Sequence, residues 1–267
     1  MRTILLWIAR PMADILRGRR LRRDGFEMAE MLAAHPPSPV CSVCGTNGQY
    51  RWRPIIRPWL AHQWKLNRDQ LTKINIQQGH ECTGCGQNLR VRALARAIAH
   101  VLHVDPPLAS GVQSVAGLRV LEINPAGGLA DYLKCADKHQ LTGYPGVDMQ
   151  RLPFPDGSFD VVVHSDTLEH VPDATQGLRE CLRVAGSGWV VFTTPVLVGR
   201  LSRKRPTYWP FSSYHGGDTG RSLVHHEFGA DLWVNALEAG AGTVVFDARD
   251  FPYAIAIACR SNSGATT

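Results

Sequence analysis

The stretch LPFPDGSFDVVVHSDTLEHV, residues 152–171, places a short run of valines between a turn and a polar cluster. The run from Val161 to Val163 is β-branched and continuous, which is typical of a parallel strand buried on both faces. A turn-forming Pro-Asp-Gly sequence precedes it. In open α/β sheets ligands lie beyond the carboxyl ends of such strands, so His164, Ser165 and Asp166 are candidate site residues.

Strand-like and helix-like segments alternate around this run. Apolar residues 120–123 predict a strand, followed by a glycine-containing turn and a helix that begins near Leu129. Further along, the pattern predicts a strand over 160–164, a helix from Asp173 to Val184 with Asp173 as its cap, a strand over 189–193, and final strands from Thr243 to Asp247 and from Tyr253 to Cys259. This repetition predicts an α/β fold with a Rossmann-like, mostly parallel sheet that closes with an antiparallel C-terminal edge pair.

Two Cys-x-x-Cys-Gly knuckles lie ahead of these elements. They contain four cysteines: Cys41, Cys44, Cys82 and Cys85. Zinc takes four thiolates tetrahedrally, and two residues between paired ligands let one turn present both sulfurs. The pattern therefore predicts one structural zinc ion without an open coordination position, leaving His62 and His80 unliganded. A redox dithiol and free buried thiols are the alternatives.

The chain divides into three predicted regions. Residues 1–36 form a basic amphipathic segment, because seven arginines fall in the first 23 residues. Residues 37–104 form a four-cysteine zinc-binding module with a linking helix, and residues 115–262 form the α/β domain. The apolar residues Leu5, Ile8, Met12 and Ile15 either pack on their own domain or give the N-terminal segment peripheral contact with a membrane or a partner.

Composition limits where the protein works and what it binds. The hydrophobic fraction is 44%, and no apolar run approaches the roughly 20 residues of a membrane helix. Seven cysteines, four of them in knuckles, argue against a disulfide framework, so we expect a cytoplasmic protein. Trp52, Trp59 and Trp64 alternate with basic residues, which is compatible with nucleic-acid binding, although a small metal module also needs aromatics for its core.

Three segments together carry a family resemblance: VLEINPAGGL, VDMQRLPFPDGSFDVVVHSDTLEHVPD and GLRECLRVAGSGWVVFTTP. They resemble the class I S-adenosylmethionine-dependent methyltransferases, in particular the methyltransferase type 11 group, over roughly residues 117–260. The knuckles followed by LRVRALA also resemble the metal-binding front portion of some of these enzymes. The resemblance implies a methyltransferase that uses S-adenosylmethionine.

The resemblance also implies roles for single residues. The methionine and ribose end of the cofactor would be lined by Glu122, Asn124, Ala126 and Gly128. The adenine would face Asp148 and Met149. The transferable methyl group would lie above His164, Ser165 and Asp166. Glu169 and His170 belong to the family's Leu-Glu-His-Val signature and are expected to shape the loop. Asp166 or His164 is the candidate base for an acceptor hydroxyl or amine; hydrogen bonding to the cofactor or the loop backbone is the alternative for each.

One departure from the family concerns the crossover after the glycine turn. Only 19 residues separate Gly128 from Asp148, and with a mean helix of ~11 residues, a strand of ~5 and connections of ~4, one helix and one strand fill the gap. A crossover has therefore been shortened or lost. The acid that holds the ribose hydroxyls in the family is missing or displaced, and Glu122 is the expected substitute.

The insertion after residue 194 is the expected acceptor region, because substrate loops lie there in open α/β sheets. Its basic residues suit an anionic acceptor: Arg200, Arg203, Lys204 and Arg205. Its aromatic residues Tyr208, Trp209 and Tyr214 suit stacking on a sugar or base. Its histidines His215, His225 and His226 are candidate acid or base groups, and a second metal site is a weaker candidate role for them. The predicted acceptor is a small molecule or glycan-like compound. A nucleic-acid-modifying or nucleic-acid-binding protein, and a degenerate methyltransferase fold kept as a scaffold, are the alternatives.

Overall fold

The computed structural model describes residues 25–110, 112–215 and 222–262. The apolar face predicted from Leu5 to Ile15 lies outside the described residues. Helical turns cover residues 25–34, here called α1. The backbone carbonyl of Met31 in α1 accepts a hydrogen bond of 2.8 Å from the Tyr253 hydroxyl, so this helix is attached to the α/β domain. Among the described helices, none has both the length and the apolar character that a membrane span requires.

A small antiparallel ribbon and two helices form the metal module. Strand β1 (Tyr50–Trp52) pairs with β2 (His80–Cys82), and helices α2 (Pro58–Gln63) and α3 (Arg68–Gly79) lie between them in sequence. Helix α3 begins at a capping box in which Asn67 and Gln70 exchange side-chain to backbone hydrogen bonds, which satisfies two otherwise unpaired amide groups.

The central sheet has six strands in the order β11-β12-β6-β5-β3-β4. Its parallel strands are β3 (Arg119–Ile123), β4 (Lys138–Thr142), β5 (Val161–Ser165) and β6 (Trp189–Thr193), and its antiparallel strands are β11 (Thr243–Asp247) and β12 (Ala256–Arg260). Two-residue strands lie between β6 and β11: β7 (Arg203–Lys204), β8 (Tyr214–His215), β9 (Ser222–Leu223) and β10 (His226–Glu227). The predicted mostly parallel sheet with its antiparallel edge pair is confirmed.

Local sequence chemistry sets the bounds of these elements. Val161, Val162 and Val163 are all buried, as a strand covered on both faces requires. The last strand begins at Ala256, three residues later than predicted, because the amides of Tyr253 and Ala254 donate to the Asp250 carbonyl in a preceding turn.

Helix α4 (Leu89–Val101) covers one face of the sheet. The sequence assigns it to the metal module as a linking helix; in the structure it packs against β6, β11 and β12. One hydrophobic cluster accordingly includes Cys41 and Cys82 of the knuckles together with Val120, Val161, Val191 and Ala256 of the sheet. The metal module and the α/β domain therefore share a core on this face, while the predicted domain boundaries stay predictions.

The opposite face is covered by α6 (Ala174–Ala185) and α7 (Trp233–Glu238). Helix α6 is capped as predicted: the Asp173 side chain accepts from the amide of Gln176 at 2.9 Å. Between β3 and β4 the chain forms one helical turn and the four-residue helix α5 (Ala130–Leu133). The predicted content of one helix and one strand in the shortened crossover is confirmed.

Candidate functional site

The two knuckles bring four sulfur atoms together. The Sγ atoms of Cys41 and Cys85 lie 3.7 Å apart, those of Cys44 and Cys82 also lie 3.7 Å apart, and all four lie within 4.8 Å of one another. Zinc–sulfur bonds of about 2.3 Å in a tetrahedron place sulfurs about 3.8 Å apart, so the cluster fits a tetrahedral zinc ion. Among the described residues, this metal-compatible grouping contains cysteines only, without His62 or His80.

The turn after β3 is held by Glu122. This side chain is fully buried; its Oε1 accepts from the Ala126 amide at 2.7 Å and its Oε2 lies 2.7 Å from Nε2 of His139 on the neighbouring strand β4. Both carboxylate oxygens are therefore engaged within the protein. Glu122 fixes the shape of the turn, and its predicted contact with the cofactor stays a prediction.

The turn also contains two residues in the left-handed region, Asn124 with φ +59° and Gly127 with φ +61°. A Cβ atom added at Gly127 or Gly128 would lie 2.7 or 2.6 Å from the side-chain amide end of Gln87. The carboxamide of Gln87 thus fills the space directly in front of the turn. A bound ligand needs this space to approach the backbone closely, and a flexible side chain occupies it.

Hydrogen bonds join the ends of β3 and β5. The Thr167 hydroxyl, just beyond β5, lies 3.3 Å from the carbonyl of Ile123 and 2.9 Å from that of Ser165, and it accepts from Nδ2 of Asn124 at 3.1 Å. Because β3 and β5 are neighbouring parallel strands, the predicted residues Asn124, Ser165 and Asp166 meet at one edge of the sheet.

Helix α4 contributes Arg90 to the same edge. Its side chain is buried, donates from Nη1 to the Ser165 hydroxyl at 3.1 Å, and forms an ion pair with Asp166. Sequence reasoning missed Arg90 and Gln87, because they lie about 75 residues before β5 and read as part of a helix with interleaved basic residues. The LRVRALA motif was the only signal that this helix belongs with the site.

His164 does not reach this edge, which corrects its predicted catalytic role. The imidazole is fully buried on the opposite face of β5 and stacks on Phe192, with ring centroids 4.9 Å apart and planes 14° apart. Burial lowers the pKa of His164 to about 3. The side chain is a neutral core residue because residues alternate between the two faces along a strand, and the preceding Val163 faces α4.

The predicted adenine-facing residues differ in exposure. Asp148 is exposed, and its carboxylate accepts from the backbone amide of Gln150 at 2.9 Å. Met149 is buried and lies in the hydrophobic cluster beneath α6, where it contacts the position of Gly177. Both follow β4 in the chain, and their contact with an adenine stays a prediction.

A polar cluster lies beyond the carboxyl ends of β5 and β6. Ligand atoms of Glu169, His170 and His215 lie within 4.8 Å of one another. Glu169 accepts a 2.6 Å hydrogen bond from the Thr194 hydroxyl, and burial, followed by the charge of Asp166, raises the pKa of its carboxyl group. The Nδ1 of His170 lies 2.8 Å from the carbonyl of Leu223, so it carries the donated proton and leaves Nε2 as an acceptor.

Among the described residues, the side chains of His225 and His226 do not join this metal-compatible grouping. Burial lowers the pKa of His215 to about 3, and burial also lowers the pKa values of His225 and His226. Nε2 of His226 lies 3.2 Å from the carbonyl of Pro172. Among the described residues, His215 groups with Glu169 and His170, so the predicted metal grouping of His215 with His225 and His226 is not formed.

The basic residues of the insertion already have a carboxylate partner. Arg200, Arg203 and Arg205 contact Glu227 at 2.6, 2.8 and 3.1 Å. Lys204 is exposed. Because three arginines share one carboxylate, the cluster keeps a net positive charge, and the predicted suitability for an anionic acceptor stays a prediction. Tyr208, Trp209 and Tyr214 are exposed, as a stacking surface requires.

Comparisons with known proteins find similarity to methyltransferases over parts of the chain. Residues 82–192 match the family model described as a methyltransferase domain. A "Probable S-adenosylmethionine-dependent methyltransferase" of Mycobacterium tuberculosis is 41% identical over 71 residues, covering 24% of this chain and 26% of that protein. The "Ubiquinone biosynthesis O-methyltransferase" of Ralstonia nicotianae is 34% identical over 113 residues, covering 42% of this chain and 41% of that protein.

A third relative and a solved structure extend the comparison. The "Ubiquinone biosynthesis O-methyltransferase" of Albidiferax ferrireducens is 29% identical, covering 53% of this chain and 47% of that protein. The crystal structure of an S-adenosylmethionine-dependent methyltransferase from Mesorhizobium loti overlaps with a TM-score of 0.36 at 14% identity, covering 57% of this chain and 95% of that one. The chain spans about a quarter to a half of the curated relatives named here. The family model and the curated relatives support an S-adenosylmethionine-dependent methyltransferase domain.

Proposed function

We propose that the protein is an S-adenosylmethionine-dependent methyltransferase that acts on a hydroxyl group of a small-molecule or glycan-like acceptor. One observation carries this proposal: the glycine turn after β3 and the polar segment after β5 meet at one edge of the sheet, inside the segment that matches a methyltransferase domain. The curated relatives named as O-methyltransferases support oxygen as the methylated atom.

The chain's own residues fit the cofactor. The turn from Asn124 to Gly128 offers a close backbone approach in front of Gly127 and Gly128, where the flexible side chain of Gln87 now lies nearest. Asp148 is exposed next to this edge and is available to a polar ligand group. When bound, the cofactor supplies an electrophilic methyl group on a positively charged sulfur.

The protein mainly has to align the acceptor and exclude water, because methyl transfer is an in-line displacement. A base is needed only where the acceptor keeps its proton. His170 is suited to act as this base, because Nδ1 donates to the Leu223 carbonyl and the ring lies in the cluster with Glu169 and His215. His170 therefore replaces His164 as the candidate base.

The acceptor is expected to enter beside the insertion between β6 and β11. The insertion contributes the exposed rings of Tyr208 and Trp209. It also contributes β9, whose Leu223 carbonyl accepts a hydrogen bond from His170. Exposed aromatic rings suit stacking on a planar ring or on the apolar face of a sugar. The three arginines nearby share the single carboxylate of Glu227, so this region keeps a net positive charge and stays compatible with an anionic acceptor.

We further propose that the four cysteines hold one structural zinc ion. All four ligand positions are thiolates, so the ion would have no open position for a substrate. Its role would be to fix the two knuckles in place. Because α4 begins four residues after Cys85, the ion would also fix the start of this helix through Cys82 and Cys85.

A methyl-transfer assay tests the activity. Purified protein is incubated with S-adenosylmethionine labelled in its methyl group and with a panel of hydroxylated aromatic compounds and sugars, and label in the acceptor is measured. Transfer is expected for at least one hydroxyl compound and is expected to fall at least ~100-fold in the Gly128→Val variant, whose side chain would fill the space before the turn. Equal transfer by Gly128→Val and the unchanged protein would remove the turn from the site.

The role of His170 is tested with the same acceptor. The variant His170→Asn removes the base and is expected to lower kcat by about 10²- to 10⁴-fold with little change in cofactor affinity. His62→Asn, which changes an exposed histidine outside the site, is the matched control and is expected to keep full activity. Full activity of His170→Asn would contradict the proposed base.

A further inference from the structure

Three arginines of the insertion converge on one buried carboxylate. The side chain of Glu227 is 3% exposed, and its oxygens lie 2.6, 2.8 and 3.1 Å from guanidinium nitrogens of Arg200, Arg203 and Arg205. The ion pairs of the described residues give all three arginines this same carboxylate as their partner. Three cations and one anion leave the cluster with an excess of two positive charges.

The excess charge is unfavourable where it lies. The side chain of Arg205 is 6% exposed, and its Nε atom has no hydrogen-bond partner among the described residues. Burial lowers the pKa of Arg205, the charges of Arg203 and Arg200 lower it further, and Glu227 offsets only part of this shift. A buried charge is costly unless an opposite charge compensates it, so a further anion would stabilise the cluster.

The cluster occupies one face of the ribbon formed by β7 and β10. Arg203 is paired with Glu227 across this ribbon, and Lys204 is paired with His226. Successive residues of a strand face opposite sides, so Arg205 shares the face of Arg203 and Glu227, while Lys204 takes the other face. The Arg203 side chain is 45% exposed, so an anion from solution can reach the cluster there.

A row of aromatic rings connects the cluster with the candidate base. The guanidinium carbon of Arg205 lies 5.5 Å from the ring centroid of Trp64, a residue of the metal module. The centroids of Trp64 and His215 are 5.4 Å apart, and those of His215 and His170 are 4.9 Å apart. The arginines and His170 therefore lie at the two ends of one short row, which a single acceptor molecule can span.

The charge of the cluster distinguishes between possible anions. A phosphate monoester carries about −1.5 to −2 charges at pH 7 and offers three strong acceptor oxygens, which matches an excess of two positive charges. A carboxylate carries one negative charge and would neutralise half of the excess. Guanidinium groups also bind phosphate oxygens in pairs, which makes arginine well suited to this group.

We propose that Arg203, with Arg205 and Arg200 behind it, binds a phosphate group of the acceptor, so that the methylated hydroxyl belongs to a phosphorylated compound. The inference rests on the proposed function and names the substrate class of the same site. Arg203 makes the direct contact because it is the exposed member, and the two less exposed arginines supply positive charge.

Titration with inorganic phosphate tests the arginine site without methyl transfer. The full chain with its zinc is titrated at constant ionic strength with phosphate and, separately, with acetate. Saturable binding of one phosphate per chain is expected, at least about 10-fold tighter than acetate. Arg203→Gln is expected to weaken phosphate binding by about 10- to 100-fold, because a charge-assisted hydrogen bond is lost.

Lys204→Gln is the matched control, because it removes the same charge from the neighbouring residue on the opposite face of the ribbon. It is expected to change phosphate affinity less than about 2-fold at constant ionic strength. Equal weakening in both variants, acetate binding as tight as phosphate binding, or the absence of saturable phosphate binding would overturn the proposal. Each result would assign the three arginines to bracing the insertion around Glu227.

Methyl transfer to paired compounds tests whether the bound phosphate belongs to the acceptor. The panel consists of hydroxyl compounds with and without a phosphate group, such as glucose 6-phosphate and glucose. The phosphorylated members are expected to show at least about 10-fold higher kcat/KM, and Arg203→Gln is expected to abolish this preference.

Equal or better transfer to the unphosphorylated members would overturn the proposal, even if free phosphate binds. Failure of the proposed function has a different signature: the unchanged protein would then bind inorganic phosphate but not S-adenosylhomocysteine.

Discussion

Replacing His164 by leucine tests whether this histidine belongs to the core or to the site. Its imidazole is fully buried against Phe192, and neither ring nitrogen has a hydrogen-bond partner among the described residues. Leucine has a similar size and no polar atoms. We therefore expect His164→Leu to fold, to keep its cofactor binding, and to be at least as stable at neutral pH, because two unpaired buried nitrogens are removed.

The magnitude follows from the pKa of the imidazole. Burial lowers the pKa of His164 from 6.5 to about 3, so between these values the folded protein keeps the ring neutral while the unfolded chain takes up a proton. Folding stability is thus lost as the pH falls below 6.5, by about 1.4 kcal/mol for each pH unit. Between about pH 7.5 and about pH 5.0 this linkage costs about 2 kcal/mol, equivalent to roughly 4–8 °C in Tm for a chain of this size.

Urea unfolding of both proteins at about pH 7.5 and about pH 5.0 measures this linkage. The loss of unfolding free energy between the two pH values is expected to be about 2 kcal/mol smaller for His164→Leu than for the unchanged protein. His215, whose pKa burial also lowers to about 3, is present in both proteins and cancels in the comparison. Val162→Ala, a core truncation on the same strand, is the control and is expected to keep the full pH dependence. An unchanged pH dependence in His164→Leu, or loss of cofactor binding by the folded variant, would refute the buried, non-catalytic role.

Two further predictions concern the attachment of the metal module. Cys82→Ser is expected to lose the single bound zinc ion and to lower stability strongly, because metal-binding energy there is folding energy. Metal content and thermal unfolding measure this, with the exposed Cys135→Ser as control, and normal zinc content in Cys82→Ser would contradict it. Arg96→Met is expected to cost about 3–5 kcal/mol, because it removes the buried cation that lies 2.8 Å from the carboxylates of both Asp247 and Asp250 and leaves only the longer 3.5 Å contact of Asp247 with the exposed Arg249. Urea unfolding measures this loss of unfolding free energy. The control is Lys134→Met, which changes an exposed residue and is expected to alter the unfolding free energy by less than about 1 kcal/mol. Equally small losses in both variants would show that the network does not hold α4 to the sheet.

Most of the sheet could be predicted because its strands have local signals. The valine run of β5, the Asp173 cap of α6 and the spacing between Gly128 and Asp148 each depend on neighbouring residues only. The mostly parallel sheet and the antiparallel last strand followed from the alternation of strands and helices. The late start of β12 was missed because the turn at Asp250 depends on backbone hydrogen bonds that the apolar pattern does not encode.

The candidate site was predicted less completely because its groups come from distant parts of the chain. Asn124, Ser165 and Asp166 could be predicted at one edge of the sheet because each lies at or just beyond the end of a strand. Arg90 was missed because a basic residue on a helix normally faces solvent, yet α4 is buried on nearly all sides and its arginines Arg90, Arg92 and Arg96 all have partners inside the protein. His164 was misassigned because its position at a strand end says nothing about which face its side chain takes. His170 acquires its fixed tautomer from Leu223, 53 residues away.

Equilibrium titration of the purified, zinc-containing protein with S-adenosylmethionine, and separately with S-adenosylhomocysteine, tests the central claim most directly. Saturable binding of one molecule per chain is predicted, together with an increase in Tm, because a ligand that binds only the folded state stabilises it. The absence of both a binding heat and a thermal shift with either compound would contradict a working cofactor site and leave the methyltransferase fold as a scaffold.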